Sequence, residues 1–237
     1  MEQVQFLSCG DCAVTVAFPQ ELSPRISREI RFLADRIQSA GIRGIRETVP
    51  AFCSLTVYYE PLVLSRRRLE KHVLHLLSTY REDSRAGKRI FRIPVCYEGA
   101  YAPDMADVCR LTGLSAQQVI RLHTGTDYLI YMLGFLPGFP YLGGMDPRLE
   151  APRLETPRTR IPAGAVGIGG KQTGIYPLAS PGGWRLIGRT PVSVYDPHRP
   201  EPIVYQAGDY IRFYPICAGD FDRLKAEGGK IDMEEVP

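Results

Sequence analysis

Between residues 148 and 189 the chain carries seven basic side chains, Arg148, Arg153, Arg158, Arg160, Lys171, Arg185 and Arg189, against two acidic ones, Glu150 and Glu155. A guanidinium presents a planar fork of donors that matches carboxylate and phosphate oxygens, and glycine-rich backbone adds unhindered N–H groups to the same task. That backbone is present: residues 161–174 read IPAGAVGIGGKQTG, 181–191 read PGGWRLIGRTP, and 134–144 read GFLPGFPYLGG. Such composition holds the chain in special φ/ψ values and permits close approaches that a Cβ would block. A disordered linker would lack aromatics, whereas these stretches include Phe135, Phe139, Tyr141, Tyr176 and Trp184. The pattern predicts packed, functional loops with a positive surface for a carboxylate or phosphate. Gln172, Tyr176 and Trp184 are candidates to line a pocket with an apolar wall and few polar anchors. Two other uses of these residues stay open: arginines bracing loop carbonyls, and aromatics filling a small barrel core.

His123 is the candidate for proton transfer, because it ends a helical segment just ahead of Tyr128, Tyr131 and the first Gly/Pro loop. A histidine at a helix C-terminus also complements the helix dipole, so both roles stand. Of the six cysteines, Cys9 and Cys12 form a C-x-x-C pair. A zinc site needs a second ligand pair, and the sequence offers no other C-x-x-C or H-x-H, so ordinary reduced thiols and no metal site are expected. Familiar phosphate motifs fail on single residues. Gly170-Lys171 is followed by Gln172 where a P-loop needs Ser or Thr, and Gly167-Ile168-Gly169 has Gln172 where a dinucleotide fingerprint needs its third Gly. A G-x-S-x-G nucleophile elbow is absent.

The elements that must position these residues fall into two textures. Residues 12–18 alternate as a half-buried strand, Ser23 and Pro24 open a helix with Ile26, Ile30, Leu33 and Ile37 on one stripe, and Gly41 stops it. Strands are expected at 43–50 and 53–60, a second helix follows from Ser65 with Leu69, Val73, Leu76, Leu77 and Tyr80 inward, and a strand at 89–97 ends the series. That order, βαββαβ, is the ferredoxin-like arrangement. After a polar linker at Glu82–Lys88 come short helices at 103–111 and 116–123, the second with a Ser115/Gln118 capping box. Strands are then expected at 127–133, 165–169, 185–188, 191–195, 203–205 and 210–216, a barrel or sandwich texture. The fold expected is therefore α+β: an N-terminal α/β domain over 1–87, a β-barrel domain over 88–217 and a polar tail over 218–237. A net charge of +3 gives no case for nucleic acid. The first residues lack a basic and an apolar signal region, and no run of about 18 apolar residues occurs, so a cytoplasmic protein without a membrane span is expected.

The run from Tyr131 to Met145, YMLGFLPGFPYLGGM, resembles the hallmark of the KipI / allophanate hydrolase subunit 1 family. Ala151-Pro152-Arg153, Pro157-Arg158, residues 161–167, residues 172–177 and Ser180-Pro-Gly-Gly-Trp184 fit the same pattern, as do Gly10-Asp11 and residues 50–56, so the likeness spans roughly 5–215. It implies a cyclophilin-like barrel for the C-terminal domain. It also implies the B subunit of a bacterial 5-oxoprolinase, which joins a C subunit, plus a third A subunit, to open 5-oxoproline to glutamate using ATP and Mg²⁺. Phosphorylating the lactam oxygen creates a leaving group, and needs cations and a positioned acid or base; Arg153, Arg158 and Lys171 are the candidate cations and His123 the proton carrier. Asp11 is read as capping a turn in preference to holding Mg²⁺. Two alternatives follow from the same resemblance: an inhibitor of a sensor histidine kinase, and a subunit related to allophanate hydrolase or urea amidolyase.

Overall fold

The computed structural model describes residues 4–81 and 87–236. The chain forms two compact units, Met1–Arg85 and Ala86–Pro237. The segment expected as a linker falls mostly on 82–86, outside the described residues.

In the first unit the strands β1 (Gln5–Ser8), β2 (Ala13–Ala17), β3 (Ile45–Pro50) and β4 (Ser54–Tyr59) make one antiparallel sheet in the order β1-β2-β4-β3. Helices α1 (Pro24–Ala40) and α2 (Arg66–Ser78) join them in one core. Ile26, Ile30, Leu33 and Ile37 are each at most 2% exposed, and burying each contributes about 1.5–3 kcal/mol. They meet Val14, Val16, Leu55 and Val57, alternate residues of the central strands, and Leu69, Val73 and Leu77 of α2. Gly41 ends α1 in the left-handed region at φ 54, its N–H donating to the Gln38 carbonyl. The expected βαββαβ order does not hold. Its last strand belongs to the other unit, and the place beside β2 is taken by β1, in register from Gln5↔Ala17 to Ser8↔Val14.

The second unit is a closed barrel. Strands β5 (Lys88–Cys96), β6 (Tyr128–Leu133), β7 (Pro140–Gly143), β9 (Ala165–Gly169), β10 (Gln172–Ile175), β12 (Arg185–Arg189) and β13 (Tyr210–Ile216) follow one another in the ring β12-β9-β10-β7-β6-β13-β5, and β12 pairs with β5 to close it. β8 (Arg158–Ile161) and β11 (Ser180–Gly182) form a separate two-stranded ribbon. Helices α3 (Met105–Thr112) and α4 (Ala116–Thr124) add Met105, Val108 and Val119 to the barrel's inner core of Ile93, Val95, Ile130, Leu142, Val166, Ile168, Ile175, Ile187, Ile211 and Phe213. The Ser115/Gln118 capping box forms at the start of α4.

Burial explains why β5 sits here. Ile93, Pro94, Val95 and Cys96 are all buried, as in a strand covered on both faces, and β5 runs parallel to β13 from Ile90↔Tyr210 to Cys96↔Ile216. Residues 218–237, expected as a polar tail, instead hold helix α5 (Ala218–Ala226), anchored by Phe221 at 2% exposed, and β14 (Asp232–Val236). β14 pairs with residues 88–92 of β5, where an open edge would otherwise remain. The strands expected at 191–195 and 203–205 shrink to a single bridge, Tyr195↔Ile203.

Closure occurs at one residue pair, Arg189↔Cys96, and it needs a glycine next door. A Cβ on Gly188 would stand 2.5 Å from Val95 Cγ1 and 3.1 Å from the Cys96 carbonyl oxygen. Gly188→Ala is therefore expected to cost about 1–3 kcal/mol and lower the melting temperature by roughly 2–4 °C per kcal/mol. Gly219→Ala is the comparison: it lies in α5 with its nearest neighbour at 3.9 Å, and thermal unfolding should show no loss or a small gain.

Candidate functional site

The barrel wall at β9 and β10 has two faces with opposite characters. Val166, Ile168 and Ile175 point into the inner core, while the alternate residues Gly169 and Gly174 lie under the indole of Trp184 on the outside and Gly167 lies against its Cβ. A Cβ on Gly169 would stand 2.5 Å from Trp184 Nε1, and one on Gly174 would stand 3.1 Å from the indole edge. The glycines are the space the ring occupies. Around it Phe139, Ile161, Ala165, Tyr176 and Leu186 make a second, external core. Phe139 meets Trp184 edge-on at 5.4 Å and Tyr176 edge-on at 5.2 Å.

The loops are pinned over this cluster by backbone bonds. Ala151 bridges Gly170, the Gly170 N–H donating to the Ala151 carbonyl at 2.8 Å, and the Leu154 N–H donates to the Gly183 carbonyl at 2.7 Å. These bonds bring the 151–154 segment beside the Gly170-Lys171 turn and over Trp184. The Arg153 guanidinium lies 5.9 Å from the Trp184 ring centroid, and Lys171 is exposed at the turn joining β9 to β10. The structure thus gathers Arg153, Lys171, Gln172, Tyr176 and Trp184 on one outer face, with Arg158 on the ribbon beside them.

Their roles differ from the sequence expectation in three ways. Tyr176 and Trp184 are only 2% and 4% exposed, so they support the surface from beneath and do not line an open pocket. Burial pushes the Tyr176 phenol up. Arg158 is partly spoken for: its Nη2 donates to Asp104 Oδ1 at 2.6 Å, and Asp104, 5% exposed, accepts the Leu186 N–H through its other oxygen. The Arg158 Nη1 and the Gln172 Nε2 are buried with no hydrogen-bond partner among the described residues. Three of the other arginines are braces. Arg148 pairs with Asp146, holding that carboxyl down at about 2, while Arg185 donates to the Pro152 carbonyl and Arg189 to the Ala163 carbonyl.

His123 is the third correction, because it sits inside the barrel and away from the loop face. It is fully buried, stacked on Phe213 at 4.6 Å. The Thr173 hydroxyl donates to the Gly167 carbonyl at 3.1 Å, so it accepts from His123 Nε2–H at 2.8 Å, and His123 Nδ1 then accepts from the Tyr97 hydroxyl at 2.8 Å. Both ring nitrogens are used and burial lowers the pKa to about 3. A neutral, enclosed imidazole with no free lone pair ties Tyr97, just past the end of β5, to α4 and β10; it has no route to a ligand on the outer face. Strand alternation separates the two: Thr173 faces in, Gln172 and Gly174 face out.

One residue of this face gave only an indirect signal. Phe135 has φ 68, and among the described residues it is the one non-glycine with positive φ. A bulky side chain there costs about 1–2 kcal/mol. It is nevertheless 61% exposed, touching Phe139 edge-on at 5.7 Å. Gly134 and Gly138 flank the turn that imposes it, and the Phe139 N–H closes it onto the Leu136 carbonyl. The Cys9/Cys12 pair lies exposed at the β1–β2 turn around Gly10-Asp11. Among the described residues no three His, Cys, Asp or Glu side chains converge.

A family model described as carboxyltransferase domain, subdomain C and D, matches residues 4–205. The 5-oxoprolinase B subunit of Bacillus subtilis is 39% identical over 233 residues, covering 94% of this chain and 97% of that protein. The solved structure of TTHA0988 superposes with a TM-score of 0.76 at 40% identity, covering 86% of this chain but only 40% of the longer TTHA0988 chain. The urea amidolyase of Saccharomyces cerevisiae is 26% identical over 94% of this chain, which matches 14% of that protein.

The buried imidazole carries a pH signature. Unfolded, His123 takes up a proton near pH 6.5; folded, it does so only near 3. The stability held above pH 6.5 is therefore lost as pH falls toward 3, by up to about 1.4 kcal/mol per pH unit from this group. Denaturant unfolding at pH 7 and pH 5 should show wild type losing more stability than His123→Gln, which starts less stable but has a flatter profile.

Proposed function

Since the chain belongs to the carboxyltransferase-domain, subdomain C and D, family, we propose that it is the B subunit of a 5-oxoprolinase, working together with a C subunit, plus a third A subunit. The complex would hydrolyse 5-oxoproline to glutamate with ATP. The observation that carries this reading is the 39% identity to a protein named as a 5-oxoprolinase B subunit, end to end in both chains. The TTHA0988 match supports a partner, because there the equivalent of this chain is part of a chain more than twice as long. The urea amidolyase relative favours a related amide-cleaving role, at lower identity and over a small fraction of that protein.

In this reading the outer barrel face is the chain's contribution to the substrate site. A small substrate with a carboxylate and a flat lactam ring suits a surface that offers cations beside an exposed aromatic. Arg153 and Lys171 hold the anionic group, and Phe135 covers the ring. ATP, bound in the assembled complex, supplies the phosphoryl group that makes the lactam oxygen a leaving group. The residues holding Mg²⁺ and the group moving the proton are assigned to the partner proteins of the complex, because His123 faces the barrel interior.

The purified chain alone should show negligible ATP-dependent glutamate formation, and adding its cognate partners should restore it; robust turnover by the isolated chain would refute the proposal. In the restored complex Arg153→Ala should lower kcat/KM by about one to two orders of magnitude, with only about 0.5–1 kcal/mol of stability lost from its contact with Trp184. Arg158→Ala should lose activity and also stability, roughly 1–3 kcal/mol after allowing for its partial exposure, because it strands the buried Asp104. Arg67→Ala, exposed on α2, should leave the rate unchanged.

A further inference from the structure

At the opposite end of β9 and β12 from Lys171, a cleft of about 150 Å³ opens between residues 163–164, the 189–194 segment and α5. Among the described residues its charged lining is of one sign: Arg189 from the end of β12 and Lys225 from α5, with no carboxylate in the wall. Among the described residues neither cation enters an ion pair. Arg189 is already oriented. Its Nε donates to the Ala163 carbonyl at 2.9 Å and its guanidinium lies 5.9 Å from the Phe221 ring centroid, leaving Nη1 and Nη2 for another partner. Thr190 is 3% exposed; its hydroxyl accepts the Val192 N–H at 3.3 Å, and among the described residues it donates to no acceptor.

We propose that this cleft is a phosphate site, taking inorganic phosphate or the terminal phosphate of a small monoester. Two cations without a counter-charge match a dianion, and a guanidinium fork, an ammonium and a hydroxyl together suit an acceptor with three or four oxygens. A carboxylate has two oxygens and one charge and would leave donors unused. The volume is below the roughly 300–1,000 Å³ of pockets that enclose whole small molecules, so the cleft holds a head group and no nucleotide. None of the residues lining it belongs to the Arg153 face, and the inference does not depend on the function proposed above.

Calorimetric titration of the full chain with inorganic phosphate, at constant ionic strength in chloride, tests the site. One saturable event is expected, with Kd on the order of 0.1–1 mM. Lys225→Gln and Arg189→Gln should each weaken it by roughly tenfold or more, and Arg153→Ala should leave it unchanged. Lys225 is exposed, so Lys225→Gln should melt like wild type without phosphate and keeps the test valid if Arg189→Gln fails to fold. Methyl phosphate binding as well as phosphate identifies a monoester head-group site, and binding of inorganic phosphate alone identifies a free-phosphate site; both support the inference. No saturable binding, equal binding of acetate, or unchanged affinity in Lys225→Gln would overturn it.

Discussion

The seating of one indole on bare backbone organises the second unit. Trp184 occupies space that side chains at Gly167, Gly169 and Gly174 would fill, so the outer face of β9 and β10 acts as a shallow tray for a ring. Because strand residues alternate, those glycines leave the inner face free to carry Val166, Ile168 and Ile175. One pair of adjacent strands therefore supports two hydrophobic cores, one inside the barrel and one outside it. The external core in turn holds the Gly/Pro loops, whose N–H groups are satisfied by bonds such as Leu154 to Gly183 and Gly170 to Ala151.

Electrostatics divides along the same wall. Outside, the positive surface is thinned by internal use: Arg148, Arg185 and Arg189 brace the chain, and Arg158 is anchored by Asp104, whose second oxygen fixes the Leu186 N–H. Arg153, Arg160 and Lys171 are left to face solvent. Inside, the polar groups form a neutral chain, Tyr97 to His123 to Thr173 to the Gly167 carbonyl, in which each donor meets an acceptor. A charge there would be costly, which is why burial holds the imidazole neutral.

Strain is concentrated on the outer face. Phe135 keeps a left-handed backbone and most of its ring in water, against both steric preference and the hydrophobic effect. The turn that imposes this is tied at both ends, by the Gly134 N–H to the Phe139 carbonyl and by the Phe139 N–H to the Leu136 carbonyl. Phe135 and Arg153 both rest on the external core, Phe135 against Phe139 and Arg153 over Trp184. By contrast, the barrel's closure is strictly structural: one residue pair joins β12 to β5, and β14 protects the rest of that edge.

Much of this was legible in the sequence. The stripes of α1 and α2, the Ser115 capping box, the strands at 13–17, 45–50, 54–59, 128–133, 165–169 and 210–216, and the chemistry-rich loops all follow from local periodicity and turn residues. So does the family, through the long run at 131–145. What local pattern does not encode is partnership. The strand at 88–96 reads the same whichever sheet it joins, and only its long-range pairing with Tyr210–Ile216 decides. His123 reads as a helix-end histidine until the barrel closes around it. Arg158 reads as a free cation until Asp104, 54 residues earlier, arrives beside it. Side-chain type fixes what a group can do, whereas burial and the identity of its neighbours, set by contacts far apart in the chain, fix what it does.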